Sequence, residues 1–218
     1  MVRLRRPLLA TVAGGAAATL LAGCFSAAAP AGSDDRLRLA MMQPPRSALS
    51  PFSDDAFKLS RWSTAETLVS LDDLGEAQPA LAVAWNRVDD RTWSFDLRPD
   101  VRFHDGSALT SDSVVTMLRA ATSAAPKPRI LDGVELTADA VDEDTVAVTT
   151  ATPDPLVPQR LSSPQLAVLA PAAYAGDGPV DPVGHGTGPF VLTAVNGTST
   201  ATLDRNDDYW GEPARLAG

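Results

Sequence analysis

Alternation of apolar and polar residues is clearest around Phe95. Trp93, Phe95 and Leu97 share one face of a strand there, because side chains alternate every second residue in a β-strand. A helical period follows Thr110, whose hydroxyl can cap the first turn of a helix that starts at Ser111. This central stretch therefore predicts a half-buried strand, a turn and a capped helix.

The residues before this stretch predict a strand followed by a helix. Leu37, Leu39 and Met41 occupy every second position, which predicts a first strand that ends near Gln43. An aspartate of the Ser-Asp-Asp sequence at 53–55 can cap the helix. The apolar stripe of that helix consists of Leu59, Trp62, Leu68 and Val69.

Two hairpins are predicted in the second half of the chain. Apolar alternation on both sides of the acidic residues 142–144 indicates the first hairpin. Asn196-Gly197 marks the turn of the second, because both residues tolerate positive φ. This mixed order of strands and helices indicates an α/β fold. We expect its core to bury four aromatic side chains: Trp85, Trp93, Phe95 and Phe103.

The first 24 residues have the layout of a secretory signal peptide, with a basic start and an apolar run at residues 8–21. The run ends in Leu-Ala-Gly-Cys, which resembles the lipobox of bacterial lipoproteins and predicts lipidation of Cys24. A transmembrane anchor needs about 20 apolar residues, more than this run provides. An ordinary signal peptide with an incidental cysteine stays open, as does a twin-arginine signal at Arg5-Arg6.

Composition and charge define the rest of the chain. Residues 24–35 are small and polar, so we expect a flexible tether between a lipoprotein signal peptide at 1–23 and a folded domain at 36–218. The net charge of −9 disfavours binding to nucleic acid and to anionic lipid heads. Membrane contact is therefore expected through the lipid on Cys24, on the outer side of the cell membrane.

Catalytic and metal-binding chemistry have little support in the sequence. Two histidines and one cysteine cannot build a tetrahedral nitrogen and sulfur metal site. His104 and His185 each lie next to a glycine in a turn-like setting, and no Gly-x-Ser-x-Gly motif surrounds a serine. The glycines at 184–188 lack the pattern of a phosphate-binding loop. We therefore expect no enzyme activity, no cofactor and no metal site.

Several short motifs, in a fixed order, resemble the extracytoplasmic solute-binding proteins of ABC importers, family 5, the peptide and nickel type. The motifs are PALAVAW at 79–85, TWSFDLR at 92–98, VRFHDG at 101–106, LTSDSV at 109–114, GTGPF at 186–190 and RNDDYWG at 205–211. Ser50 departs from the asparagine or aspartate usual between the leucine and proline of 49–51. The resemblance implies a type II periplasmic binding protein fold, here a partial large lobe with a small mixed subdomain.

The resemblance also implies a function. Members capture a peptide or similar solute between two lobes and deliver it to ABC permease subunits in the membrane. Family members contact ligand from three places, which map here to Gln43, Arg129, Ser163 and Gln165. The Arg129 guanidinium can pair with a ligand carboxylate through two hydrogen bonds.

Other readings stay open beside this one. One is a truncated lipoprotein that acts as a sensor or adaptor and binds another protein. Another is a secreted hydrolase that uses carboxylates or His104. Because members of the resembling family are considerably longer, we also expect this chain to be a fragment, or a remnant that binds its solute poorly and tends to associate.

Overall fold

The stretch around Phe95 folds as its pattern predicts. The structure, a computed structural model, describes residues 35–176 and 178–218. Cys24, the signal peptide and nearly all of the predicted tether lie outside these residues. The helices and strands, in chain order, are α1 (Ala56–Arg61), β1 (Val69–Leu71), β2 (Ala77–Pro79), β3 (Ala82–Arg87), β4 (Thr92–Leu97), α2 (Ser111–Ser123), β5 (Leu136–Ala140), β6 (Thr145–Thr150), α3 (Val157–Arg160), β7 (Phe190–Asn196) and β8 (Thr200–Arg205). Short 3-10 helices lie at Arg129–Leu131, Pro164–Leu166 and Pro171–Tyr174.

The largest sheet is antiparallel, with the strand order β3-β4-β6-β5. Its inner face carries Phe95 from β4 and Val146 and Val148 from β6, all of them completely buried. Phe95 lies directly opposite Val146 in the register. α2 packs against β5 and β6 and shares one hydrophobic core with these side chains. The predicted hairpin around the acidic turn 142–144 is therefore confirmed as β5 and β6.

Two of the four expected core aromatics are fully buried. Phe95 is 0% exposed and Phe103 is 2% exposed. Trp85 and Trp93 are only half-buried and pack against the rim of the same core. The prediction was wrong for these two indoles: Trp85 lies on the edge strand β3, and Trp93 donates its Nε1–H to the carbonyl of Asp154, at 3.1 Å.

The helix α2 begins where the sequence predicts. The Thr110 hydroxyl accepts from the Ser113 backbone N–H at 3.4 Å, and the Ser113 hydroxyl accepts from the Thr110 backbone N–H at 3.1 Å. This capping box satisfies two N–H groups that the helix itself leaves free. Behind the cap, Val114, Leu118 and Ala121 are buried on one face of α2, as their spacing predicts.

The predicted first strand is not formed. Residues 35–45 belong to no strand, and Leu37 and Leu39 are 64% and 66% exposed. The segment is held instead by backbone hydrogen bonds, including one of 2.8 Å from the Leu37 N–H to the Gly218 carbonyl. The alternation of leucines is real, but within the described residues no neighbouring strand pairs with it.

The helix α1 is shorter than predicted. It ends at Arg61, and Ser63 adopts a φ of 53°, which turns the chain away from the helix axis. Leu68 and Val69, which we expected on the helical stripe, are buried at the start of β1 instead. Periodicity alone did not separate a short helix followed by a strand from one longer helix.

Asp55 has a different role from the predicted cap. It occupies the N-cap position of α1, but its side chain does not cap the helix. One carboxylate oxygen accepts from the backbone N–H groups of Arg46 and Ser47, at 2.8 and 2.7 Å, and the other pairs with Lys58. Burial alone would raise the pKa of Asp55, but the hydrogen bonds from Lys58 and the two backbone groups outweigh it and lower the pKa.

The second predicted hairpin is confirmed as β7 and β8. Its turn contains Gly197 with a φ of 56°, a conformation that glycine adopts without steric cost. Leu192 of β7 is completely buried and packs in a second core with Leu59 of α1 and with Leu169. This second core joins the hairpin to α1.

Candidate functional site

Glu66 accepts hydrogen bonds from three side chains that lie far along the sequence. Its Oε2 accepts from Thr187 Oγ1 at 2.8 Å and from Trp210 Nε1 at 2.9 Å. Its Oε1 accepts from the Tyr209 hydroxyl at 2.7 Å. We call Glu66, Thr187, Tyr209 and Trp210 the Glu66 cluster. It joins the GTGPF and RNDDYWG motifs to the segment between α1 and β1.

The electrostatics of the Glu66 cluster favour this arrangement of donors. Burial, together with the hydrogen bond to Glu66, raises the pKa of Tyr209, so its hydroxyl stays protonated and donates. The Arg98 guanidinium lies 4.3 Å from the centroid of the Trp210 ring, a cation–π contact. Arg98 thus packs on the face of the same indole whose N–H donates to the Glu66 carboxylate.

The glycines of the GTGPF motif allow a close approach of two backbones. A Cβ at Gly186 would lie 1.8 Å from the carbonyl oxygen of Thr64, and one at Gly188 would lie 2.1 Å from that of Ser63. The Gly188 N–H donates to the Thr64 carbonyl at 3.2 Å. The glycines of this motif therefore allow two backbone segments to pack closely, as expected of a structural turn.

His104 is held by the same motif. Its backbone N–H donates to the Gly186 carbonyl and its Nε2 bonds to the Gly188 carbonyl, both at 2.8 Å, while its buried Nδ1 has no hydrogen-bond partner among residues 35–176 and 178–218. Burial lowers the pKa of the imidazole. Nε2 therefore carries the proton and donates to the Gly188 carbonyl, so this nitrogen holds the GTGPF motif in place. His185 bonds through Nδ1 to the Asp181 carbonyl, at 3.0 Å.

Ser163 and Gln165, two of the predicted ligand residues, lie together at the 3-10 helix Pro164–Leu166. The Ser163 hydroxyl accepts from the Gln165 N–H at 3.3 Å and caps this helix. Gln165 is 6% exposed, and its Oε1 accepts from the Ile130 N–H at 3.2 Å. Gln165 therefore fixes the backbone next to Arg129.

Arg129 is the exposed member of this group. Its guanidinium lies 3.8 Å from the Asp54 carboxylate, and the two side chains are 76% and 73% exposed. Such a pair contributes about 0–1 kcal/mol, because solvent screens it. The structure thus brings Arg129, Ser163 and Gln165 into one region, with only the arginine reaching far into solvent.

Gln43, the fourth predicted ligand residue, lies apart from these contacts. It lines a cavity of about 710 Å³ between residues 36–45, the C-terminal end of α1 and the β7–β8 hairpin. We call this space the N-terminal cavity. Its volume is in the range of small-molecule sites, about 300–1,000 Å³. The ligand-binding role of these four residues stays a prediction.

Sequence reasoning missed Glu66 as the centre of a polar cluster. The signal was present: Glu66 is the one charged residue in the apolar stretch Ala65–Val69, and a carboxylate in such a setting is usually paired. Its partners could not be identified, because they are more than 120 residues further along the chain.

The described residues contain neither a cluster of metal-binding side chains nor a helix that could span a membrane. Across 35–176 and 178–218, no three or more His, Cys, Asp or Glu side chains converge to hold a metal ion. In the same part of the chain, no helix has the length and apolar character needed to cross a membrane.

Comparison with known proteins defines the class. Residues 76–218 match the family model of bacterial extracellular solute-binding proteins, family 5. The chain belongs to this family, which confirms the resemblance carried by its motifs. Relatives of this type are solute-binding proteins rather than enzymes.

Individual relatives agree with the family. The nickel-binding periplasmic protein of Escherichia coli (strain K12) is 27% identical over 155 residues, which are 67% of this chain and 29% of that protein. NikA from Brucella suis, solved in complex with Fe(III)-EDTA, is 25% identical, with a TM-score of 0.66 over 85% of this chain and 36% of that one. DppA from Helicobacter pylori, solved with the peptide STSA, is 21% identical, with a TM-score of 0.63 over 80% and 40%, and shows the shared fold.

These structural similarities confirm that the chain has the α/β fold of a periplasmic binding protein. The chain corresponds to part of that fold. The chain spans about a third of the length of the solved relatives it matches, 36% for the Brucella protein. What this chain binds, and with what it assembles, is therefore taken up as a proposal.

Proposed function

We propose that this chain captures a peptide or similar small solute outside the cytoplasm and serves an ABC importer as its solute-binding component. The observation that carries the proposal is the family match across residues 76–218. The geometry supports the proposal, because the residues of the family motifs pack against one another and hold the fold together. The Glu66 cluster and the hydrogen bonds of His104 fix the positions of these backbone segments. The exposed side chain of Arg129 takes no part in them and can contact a ligand.

The proposed ligand contacts divide into two kinds. Gln165 is buried and accepts a hydrogen bond from the backbone of Ile130, so it positions the neighbouring Arg129. Arg129 is exposed, and its weak pair with Asp54 can be exchanged for a ligand carboxylate at small cost. Ser163 is proposed as a further polar contact in this region, and Gln43 as a polar contact in the separate N-terminal cavity. Capture proceeds by closure of two lobes, which the ligand stabilises only by touching both.

Ligand binding is tested on the purified chain. Mass spectrometry of co-purifying small molecules, followed by isothermal titration with what is found, identifies the solute. Arg129→Ala is expected to weaken its binding about tenfold, the loss of one charge-assisted pair. Arg119→Ala is the matched control, since Arg119 is equally exposed but lies on α2. Equal affinities for wild type and Arg129→Ala would remove Arg129 from the site.

Experiments on the same purified chain distinguish a solute receptor from a hydrolase and from an adaptor protein. A hydrolase would consume a peptide library, whereas a receptor shifts only its melting temperature with it. An adaptor would capture a protein partner and show no response to small molecules. Sedimentation of the isolated chain also tests the expected tendency to associate.

We further propose that the chain is a lipoprotein held to the cell membrane at Cys24, with its folded domain on the outer side. The support is the Leu-Ala-Gly-Cys sequence after an apolar run. Labelling with a fatty acid precursor is expected in wild type and lost in Cys24→Ala, with release of the protein from the membrane fraction. Persistent labelling of Cys24→Ala would refute the anchor.

A further inference from the structure

The N-terminal cavity differs in charge from the rest of the protein. Among the described residues, no aspartate or glutamate lines it, and four cationic side chains do: Arg36, Arg38, Lys58 and Arg61. The whole chain, by contrast, has a net charge of −9. A basic cavity in an acidic protein attracts anions locally while the remaining surface repels them.

Two of these cations are already neutralised and two are not. Arg36 forms an ion pair with Asp204, and Lys58 pairs with Asp55 at 2.8 Å. Arg38 and Arg61 form no ion pair with any described residue of 35–176 and 178–218, and both side chains are exposed to the cavity and solvent. Two guanidinium groups are therefore available for an incoming anion.

The other walls of the cavity are apolar or carry hydroxyl groups. Trp62 and Phe190 contribute aromatic surface, and the Trp62 Nε1–H donates to the Met41 sulfur at 3.3 Å. That contact orients the indole against the segment 36–45. Hydroxyl-bearing residues from the turn of the β7–β8 hairpin and from β8 also line it: Thr198, Ser199, Thr200 and Thr202.

We propose that the N-terminal cavity binds an anionic solute with an apolar body, whose carboxylate or phosphate group is held by Arg38 and Arg61. A planar guanidinium can donate two parallel hydrogen bonds to either anion. The apolar body packs on Trp62 and Phe190. This inference rests on the proposed function and deepens it, because it names the class of solute taken at the cavity that Gln43 lines.

Charge also supplies selectivity. A neutral analogue of the same shape would leave the two guanidinium groups unpaired, and a cationic one would meet like charge from both. The cavity therefore discriminates by the charged end of the solute rather than by its apolar body. Because Arg38 and Arg61 are open to solvent, added salt weakens the interaction.

The test uses three probes with the purified full chain. N-acetyl-leucyl-leucine has a free carboxylate, its C-terminal amide has the same apolar body without charge, and hexyl phosphate carries the other anion. We expect the acid to bind about tenfold tighter than the amide, and its affinity to fall with salt. Hexyl phosphate, whose apolar body differs from that of the acid, tests whether the cavity also accepts a phosphate.

Variants assign the effect to the cavity. Arg61→Gln and Arg38→Gln are each expected to weaken the acid about tenfold and leave the amide unchanged. Arg119→Gln, the control on α2, is expected to change neither, and circular dichroism checks that every variant is folded. Equal binding of acid and amide, or unchanged acid binding in both variants, would overturn the inference.

The outcomes also separate this inference from the proposed function. If the co-purifying solute binds but the acid and hexyl phosphate do not, the inference fails and the proposed function stands. If no solute of any kind binds, both fail.

Discussion

Replacement of Glu66 by alanine tests the role of the Glu66 cluster in holding the fold together. The change removes the acceptor of three hydrogen bonds and leaves Thr187, which is completely buried, without a partner. Tyr209 and Trp210 lose the same acceptor. The segment that contains both aromatics would keep the contact between Trp210 and Arg98 and the hydrogen bonds of Asn206 to the Pro189 and Gly188 carbonyls.

The size of the effect follows from the burial of each donor. A buried hydrogen bond to a charged group contributes about 1.5–3 kcal/mol to stability. Three fully buried bonds would together contribute about three times as much. Glu66, Tyr209 and Trp210 are only half-buried, so water replaces part of what is lost. We therefore expect Glu66→Ala to lower the free energy of unfolding by about 3 kcal/mol. For a domain of this size, the melting temperature should fall by about 6–12 °C.

Urea unfolding followed by circular dichroism measures this loss. Glu66→Gln should cost only about 1 kcal/mol, since the amide oxygen can still accept from Thr187 and Trp210 while the amide NH₂ donates to the Tyr209 oxygen. Glu212→Ala is the matched control, because Glu212 is exposed near the same segment, and its effect should stay within about 0.5 kcal/mol. A loss below about 1 kcal/mol for Glu66→Ala, or equal losses for Glu66→Ala and Glu212→Ala, would refute the cluster as a stabilising unit.

Three further predictions concern other parts of the scaffold. Gly186→Ala places a Cβ 1.8 Å from the Thr64 carbonyl oxygen, so we expect it to destabilise by at least about 3 kcal/mol in the same urea assay, or to prevent folding. Thr110→Ala removes the cap of α2 and should cost about 1 kcal/mol, with Thr110→Ser close to wild type. Burial lowers the pKa of His104 from 6.5, so the unfolded state binds more protons below that pH, and stability should fall as the pH drops from 6.5 towards the depressed pKa. That part of the pH dependence should vanish in His104→Gln, whose amide can still donate to Gly188, and an unchanged slope would contradict the assignment.

Local patterns were sufficient where one face of an element is buried by its immediate neighbours. The strand around Phe95, the cap at Thr110 and the turn at Gly197 could all be predicted, because each depends on side-chain alternation or on local backbone geometry. The same reasoning failed for the leucines at 37 and 39. Their alternation has meaning only against a partner strand, and the described chain provides none.

The candidate site was harder to read than the fold. Arg129 and Gln165 were selected through the family resemblance, and the structure places them close together without showing a ligand contact. Arg38 and Arg61 were not selected at all. Their common cavity depends on how residues 36–45, α1 and the β7–β8 hairpin come together, and these are distant in sequence. The Glu66 cluster was missed for the same reason.

The long span of the Glu66 cluster sets the order in which the chain can complete its fold. Its hydrogen bonds join residues that are 121, 143 and 144 positions apart. Contacts between such distant residues form late, because the loop between them must close first. In a chain that is synthesised or threaded through a pore with its N-terminus leading, Glu66 emerges long before Tyr209 and Trp210. The Glu66 cluster therefore cannot be completed until residue 210 is out, whichever earlier strands have already formed.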